Sequence, residues 1–246
     1  MYSKFSIDIN CDVGEGVGNE KLIMPYISSC NIACAAHAGS VEVIDKVIGL
    51  AKEHNVKIGA HPSFPDRENF GRVVMDISSE ALQKSIEAQI QLLKERTVLQ
   101  DVKLHHVKPH GALYNLIAKD KEMAQLVIRA VQNTYPEVFL YIPYNSVIAK
   151  EALKSNLQIQ YETFADRNYN DDLSLVSRSQ KNALITNKEL VFSHVKRMIV
   201  DKEVYTISGV KKIIANTICV HGDTKNAVEL VAYIHAKLTE NNIRIA

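Results

Sequence analysis

No apolar run in the 246 residues approaches the length of a membrane span, and neither sign of charge predominates: 29 Lys and Arg stand against 28 Asp and Glu, a net charge of +1. With the basic residues scattered along the chain, neither a nucleic-acid groove nor a membrane surface is indicated. No CxxC pair occurs. The four cysteines, Cys11, Cys30, Cys34 and Cys219, lie in apolar contexts and read as reduced, buried thiols. Cys30 and Cys34 are four apart, but no second Cys/His pair at zinc-site spacing accompanies them. There is no GxSxG and no reactive-cysteine signature, so attack by water is favoured over attack by a side chain. Neither GxxxxGK[ST] nor GxGxxG occurs, so the chain shows no nucleotide site of its own. Low-complexity stretches, linkers and short repeats are also missing. The opening MYSKFSIDIN runs directly into a strand-like segment, which is unlike a leader and points to the cytoplasm.

What is present is a soluble globular composition, 46% hydrophobic and 23% charged. Strand-like runs occur at FSIDINC (5–11), NIACA (31–35), VKIGA (56–60), KLHHV (103–107), VFLYIP (138–143), IQYETFA (159–165) and NTICV (216–220). Helical periodicity fills most of the gaps, over Val41–His54, Ser79–Arg96, Lys121–Gln132, Asn187–Val200 and Lys225–Leu238, and Ser78-Ser79-Glu80 suits a helix start. Alternating strands and helices predict a parallel sheet with helices outside, and this many units without a break predict a closed (β/α) barrel, a single domain over residues 1–246.

Polar residues gather where the strands end. Run one finishes in Asn10, Asp12 and Glu15, run two in His37, run three in His61 and run four in Lys108 and His110. Run six finishes in Glu162, Asp166 and Arg167, and run seven in His221 and Asp223. In a parallel barrel these ends converge on one face. A lone histidine at a strand end is commonly a surface residue; four at four strand ends argue for one shared site. Asp12 and Glu15 could instead cap the DVGEG turn, and Asp166-Arg167 could be a surface ion pair. His54, His105, His194 and His235 fall inside elements and read as structural. Lys108 and His110, two apart in KLHHVKPHGALYN, share a strand face if the extended backbone persists to the Pro-His-Gly stop. Carboxylate, imidazole and ammonium around one cavity supply acid-base catalysis and charge stabilisation, and they match the ligand set of a hydrolytic divalent metal.

The segments DINCDVGEG, NIACAAHAG, IGAHPSFPD, FGR, HVKPHGALYN, FADRNY and CVHGD occur in that order from residue 8 to residue 223. In these the chain resembles the LamB/YcsF family, also known as the 5-oxoprolinase A subunits, over essentially its full length. The resemblance implies a (β/α) barrel of seven or eight strands, related to the glycoside hydrolase/deacetylase fold. It also implies a subunit that works with two others to open 5-oxo-L-proline to L-glutamate with ATP hydrolysis, the ATP being bound by the partners. Carried over position by position, Asp12, Glu15, His61, Lys108, His110 and His221 would be catalytic, and Asn10, His37, Asp166, Arg167 and Asp223 would bind substrate. The chain departs from the family pattern at Ala35-Ala36, where Gly-Phe is usual, at Ser40, where Asp is usual, and within Asn170-Asp171-Asp172, where a glycine is expected. Two other readings stand beside this one: a metal-dependent deacetylase of the same fold, and a non-catalytic regulatory subunit that binds lactams or carbohydrates.

Overall fold

The computed structural model describes residues 3–222 and 226–246. Asp223, expected to bind substrate, lies outside them. Six strands follow in chain order: β1 (Phe5–Val13), β2 (Ser29–Ala33), β3 (Lys57–His61), β4 (Leu104–Val107), β5 (Phe139–Pro143) and β6 (Ile159–Phe164). An antiparallel hairpin of β7 (Glu203–Thr206) and β8 (Gly209–Lys212) comes next, then β9 (Thr217–Val220) and β10 (Ile243–Ile245). Strands β1 to β6 pair in parallel with their sequence neighbours. β9 pairs in parallel with both β6 and β1, which closes a seven-stranded barrel. β10 adds to the early half of β1, outside the barrel.

The helices are α1 (Glu20–Ile23), α2 (Val41–Glu53), α3 (Ser79–Leu99), α4 (Gly111–Ile117), α5 (Lys121–Thr134), α6 (Val147–Lys154), α7 (Lys188–Val200) and α8 (Ala227–Glu240). Five of them start at residues that satisfy otherwise orphaned amides: Ser40, Ser78, Asp120, Ser146 and Asn187 each accept from a backbone N–H three residues on. Their apolar faces pack on the outward-facing apolar residues of the strands. No helix among the described residues is long and apolar enough to cross a membrane.

The inside of the barrel is unusual. Such interiors are ordinarily filled by layers of branched aliphatic side chains. Here Ile7, Ile9, Cys11 and Val13 alternate along β1 with Asp8, Asn10 and Asp12, and the polar set takes the inner face. At the bottom, Asp8 accepts from Ser28 (2.8 Å), Ser29 (2.6 Å) and Thr217 (2.5 Å). Above it, the Asn10 amide donates to Thr217 (2.7 Å), the Asn31 amide to Asn10 (2.7 Å), and His106 Nε2–H to Asn31 (2.7 Å). The His106 ring lies flat on Tyr141, centroids 3.9 Å apart. Burial without partners would make these groups costly; paired, they form a polar column that fixes one arrangement of the strands. Gly59 leaves the space for His106, because a Cβ there would fall 2.0 Å from the imidazole Nε2.

Candidate functional site

Beyond the regular end of β4 the extended backbone continues. Lys108 N–H donates to the Ala60 carbonyl (2.9 Å) and His110 N–H to the Pro62 carbonyl (2.8 Å), so the ladder against β3 runs two residues past its last regular pair. Lys108 and His110 therefore share the inward face with His106, as their spacing predicts. The chain then turns at Gly111, whose φ is +56° and whose missing Cβ would lie 2.6 Å from the Gly71 carbonyl oxygen. Glycine alone fits there, and α4 starts at that point.

Lys108 is buried at the top of the polar column. Its Nζ lies 2.8 Å from Asp12 Oδ1, 2.9 Å from Glu162 Oε1, 3.3 Å from Asn10 Oδ1 and 3.2 Å from Cys219 Sγ. Burial opposes charge on the amine, but Asp12, Cys219 and Glu162 outweigh it and hold the Lys108 pKa well above the usual lysine range. Burial would likewise raise Asp12, yet Lys108 and His61 hold its carboxyl well below the usual range. Glu162 is buried completely on its side chain, and among the described residues neither of its oxygens has a well-aligned hydrogen-bond partner. The buried Tyr114 hydroxyl also lacks a well-aligned partner; burial and the nearby Glu162 carboxylate push its pKa well up.

Beside this pair stands a histidine cluster. Glu15 Oε1 lies 3.2 Å from His37 Nε2, 3.3 Å from His110 Nδ1 and 3.8 Å from His61 Nε2. His61 Nε2 and His110 Nδ1 are 3.0 Å apart, and Asp12 Oδ1 is 3.5 Å from His61 Nε2. The His37 and His110 rings stack at 3.9 Å, with Phe70 edge-on to both. Burial lowers the pKa of His37, and burial with the neighbouring imidazoles pushes His110 far down. Burial opposes charge on His61 too, but the adjoining Asp12 carboxylate overcomes it and raises this one.

On the far wall His221 Nδ1 meets Asp166 Oδ1 at 3.0 Å, and its ring stacks on Phe164. Asp166 is fully buried, so an Asp166–Arg167 surface pair is not what forms. Arg167 instead donates to the carbonyls of Val176 (2.6 Å) and Ala183 (3.4 Å), holding the segment after β6 against the barrel mouth.

A cavity of about 630 Å³ opens over these groups; Asp12, Glu15, His61, Lys108, His110, Arg167 and His221 line it. Asn10, His37 and Asp166 stand one layer behind the wall, where they hold lining side chains. Glu162, a strand-end residue given no role in the sequence reading, and Tyr114, not expected there, also line the cavity. The inward position of Glu162 is readable from the two-residue period of β6, on which Glu162 and Phe164 share a face. His106 is readable the same way, two residues before Lys108. Tyr114 carries no such signal, because the short α4 shows no helical period. His54, His105, His194 and His235 are not among the lining residues. All four cysteines are free and buried, as expected, and of them Cys219 touches Lys108.

Among the described residues, two side-chain groups have metal-ligand spacing: Glu15, His61 and His110, and Asp12, Cys219 and His221. The Lys108 ammonium sits against both Asp12 and Cys219 of the second group, which disfavours another cation there.

Comparison with known proteins bears on the family and the fold. The LamB/YcsF family model matches residues 7–246. A protein from Staphylococcus carnosus named as the A subunit of 5-oxoprolinase is 40% identical over 245 residues, covering 97% of both chains. Its namesake from Clostridium beijerinckii is 40% identical over 247 residues, covering 98% of this chain and 97% of that one. The crystal structure of a lactam utilization protein from Thermus thermophilus superposes with a TM-score of 0.92 at 34% identity, covering 98% of this chain and 99% of the other. The chain belongs to the LamB/YcsF family.

Proposed function

We propose that this chain is one subunit of an ATP-dependent 5-oxoprolinase and carries the site where the lactam ring is opened to L-glutamate. The observation that carries the reading is the buried Lys108 ammonium, fixed between Asp12 and Glu162 on the wall of the cavity where the barrel strands end. The names of the relatives supply the substrate class.

A five-membered lactam resists water because its amide nitrogen is a poor leaving group. ATP on a partner subunit would phosphorylate the amide oxygen, which makes C5 electrophilic. Water then adds to C5, the C5–N bond breaks as the nitrogen gains a proton, and the resulting acyl phosphate is hydrolysed by a second water to glutamate and phosphate. This chain's residues have clear places in that sequence. Lys108 stabilises negative charge on the amide oxygen or on the departing phosphate. Glu162, whose oxygens lack well-aligned hydrogen bonds, accepts the ring N–H, and the Tyr114 hydroxyl is a donor beside it. His221 has its Nδ1 engaged by Asp166, which orients the ring to exchange a proton through Nε2 with the leaving nitrogen. We assign proton transfer to His221 rather than to His110, the residue whose spacing beside Lys108 suggested it. His110 donates Nε2–H to the Phe70 carbonyl, and its basicity is suppressed by burial and by its imidazole neighbours.

The test is to combine the purified chain with its cognate partner subunits, 5-oxoproline and ATP, and to measure glutamate and ADP together. Glutamate formed only in the full mixture supports the reading. ADP without glutamate, or no dependence on this chain, refutes it.

A further inference from the structure

The partners of the three clustered histidines fix one proton on each ring. His61 Nδ1 is 2.6 Å from the Lys108 carbonyl oxygen, which can only accept, so Nδ1 carries the proton. His110 Nε2 is 2.9 Å from the Phe70 carbonyl and is protonated for the same reason. His37 Nε2 is 3.2 Å from Glu15 Oε1, which also can only accept, so Nε2 carries that ring's proton and Nδ1 accepts from the Ser63 hydroxyl (2.8 Å). His110 therefore presents a lone pair at Nδ1, and His61 presents one at Nε2 once it gives up the second proton that Asp12 favours. These two nitrogens and His37 Nε2 surround a single carboxylate oxygen, Glu15 Oε1, at 3.2 to 3.8 Å, and the first two face each other at 3.0 Å. A proton shared between them or a metal ion among them relieves the repulsion of this crowding, and the two compete for the same place.

Three carboxylates reach the wall, Asp12, Glu15 and Glu162, with side chains 10%, 6% and 0% exposed. Lys108 pairs with Asp12 and Glu162, whereas Glu15 faces His37, His61 and His110, and a buried carboxylate is stabilised by a cation beside it.

We infer that Glu15 Oε1, His61 Nε2 and His110 Nδ1 form a binding site for a divalent first-row transition metal ion, zinc by donor preference, with His37 holding the Glu15 carboxylate in place. Two imidazoles and a carboxylate are a donor set that leaves a coordination position open for water. The carbonyls of Lys108 and Phe70 play the orienting role usual behind metal-bound histidines. Because Glu15, His61 and His110 all line the cavity, the ion is reachable from it. The site stands on the chain's own geometry and does not depend on the identity of the lactam.

The experiment is metal binding by the chain alone. After chelator treatment, Zn²⁺ or Co²⁺ is titrated in, with calorimetry for zinc and visible absorption for cobalt. About one equivalent is expected, with ligand-field bands for cobalt at low coordination number. His61→Ala and His110→Ala should each weaken binding by about 100-fold or more, and Ser63→Ala, which frees the ring behind Glu15, by about 10-fold. Cys219→Ser and His221→Asn should bind as the unaltered chain does, because they disrupt only the other candidate group. A second readout needs no variant: on zinc addition to ¹⁵N-labelled protein, the unprotonated His61 Nε2 and His110 Nδ1 resonances should shift. The inference is overturned if none of the tested metals binds at about 100 µM and His61 is found doubly protonated, with a proton bridging it to His110. Loss of binding in Cys219→Ser or His221→Asn, with retention in His61→Ala, would also overturn it.

Discussion

Lys108 and the two carboxylates that hold it make opposite demands on pH, and this gives a test free of any assay for activity. In the native chain the Asp12 pKa is depressed, so its stabilising contribution is complete above the unfolded value of about 4 and disappears as pH falls through the lower folded value. Lys108 is raised, so its contribution is complete below the unfolded value of about 10.4 and disappears as pH rises through the folded one. Between pH 5 and 7 neither group titrates and the pair should leave stability flat. Lys108→Met leaves Asp12 and Glu162 buried together without a counter-charge. Stability should fall by about 3–5 kcal/mol, the size found when one partner of a buried pair is removed. The carboxyl pKa values should rise above their unfolded ones, so the variant should regain stability on acidification from pH 7 to pH 5. Parallel melting curves for the two proteins across that range would contradict the account. At His221 the expectation concerns rate: His221→Asn should reduce turnover by about 100-fold and remove one limb of the pH–rate profile, while melting changes little. An unchanged profile shape would remove His221 from proton transfer. Both residues are visible in the sequence as ionisable strand ends, but the role of each depends on partners far away in the chain. His221 looks no different from His110 until Asp166 and the Phe70 carbonyl are placed beside them.

The elements that periodicity can reach are the ones that pack on both sides. All seven barrel strands and the five long helices have apolar faces long enough to register against a 2.0- or 3.6-residue period. Helices α1, α4 and α6 are at most 8 residues, too short for a period to show. The β7–β8 hairpin escapes for another reason: β8 is exposed along its length and carries no burial pattern. Two substitutions test why particular connections look as they do. Ala35 adopts φ +61°, a left-handed conformation that costs a residue with a Cβ about 1–2 kcal/mol. This is the position where the family resemblance expects glycine. Ala35→Gly should therefore stabilise the chain by about 1 kcal/mol in denaturant unfolding, offset in part by added unfolded-state entropy; a loss of stability would show the loop is not strained. Gly59→Ala should do the reverse. Its Cβ would enter the His106 ring, so a loss of about 1–3 kcal/mol or more is expected, with disturbance of the Asn10–Asn31–His106 chain beneath the cavity.

At the level of the whole molecule, a barrel with a polar interior connects its structural core to its candidate site without a break. The column that begins at Asp8 ends in Asp12, Lys108 and Glu162, so the groups facing the cavity are braced from below by buried hydrogen bonds. That arrangement suits electrostatic stabilisation by groups that need not move. The closed barrel itself is legible from the alternation of strand and helix, because each connection is long enough to be a crossover. The polar column is legible only in part: Asn10 and Asp12 stand out and His106 shares the face of Lys108, whereas Asn31 and Thr217 read as ordinary strand residues until closure brings β2 and β9 beside β1. The proposed activity requires this site and a source of ATP on different chains. The most direct measurement follows from that division. The complete set of subunits is assayed for ATP-dependent glutamate release from 5-oxoproline, once with the native chain and once with Lys108→Met, alongside each chain without its partners. The account predicts glutamate from the native complex, none from the single chain, and a loss of about 100-fold or more with Lys108→Met while the subunits still associate. Near-normal glutamate release by an associated Lys108→Met complex would contradict it.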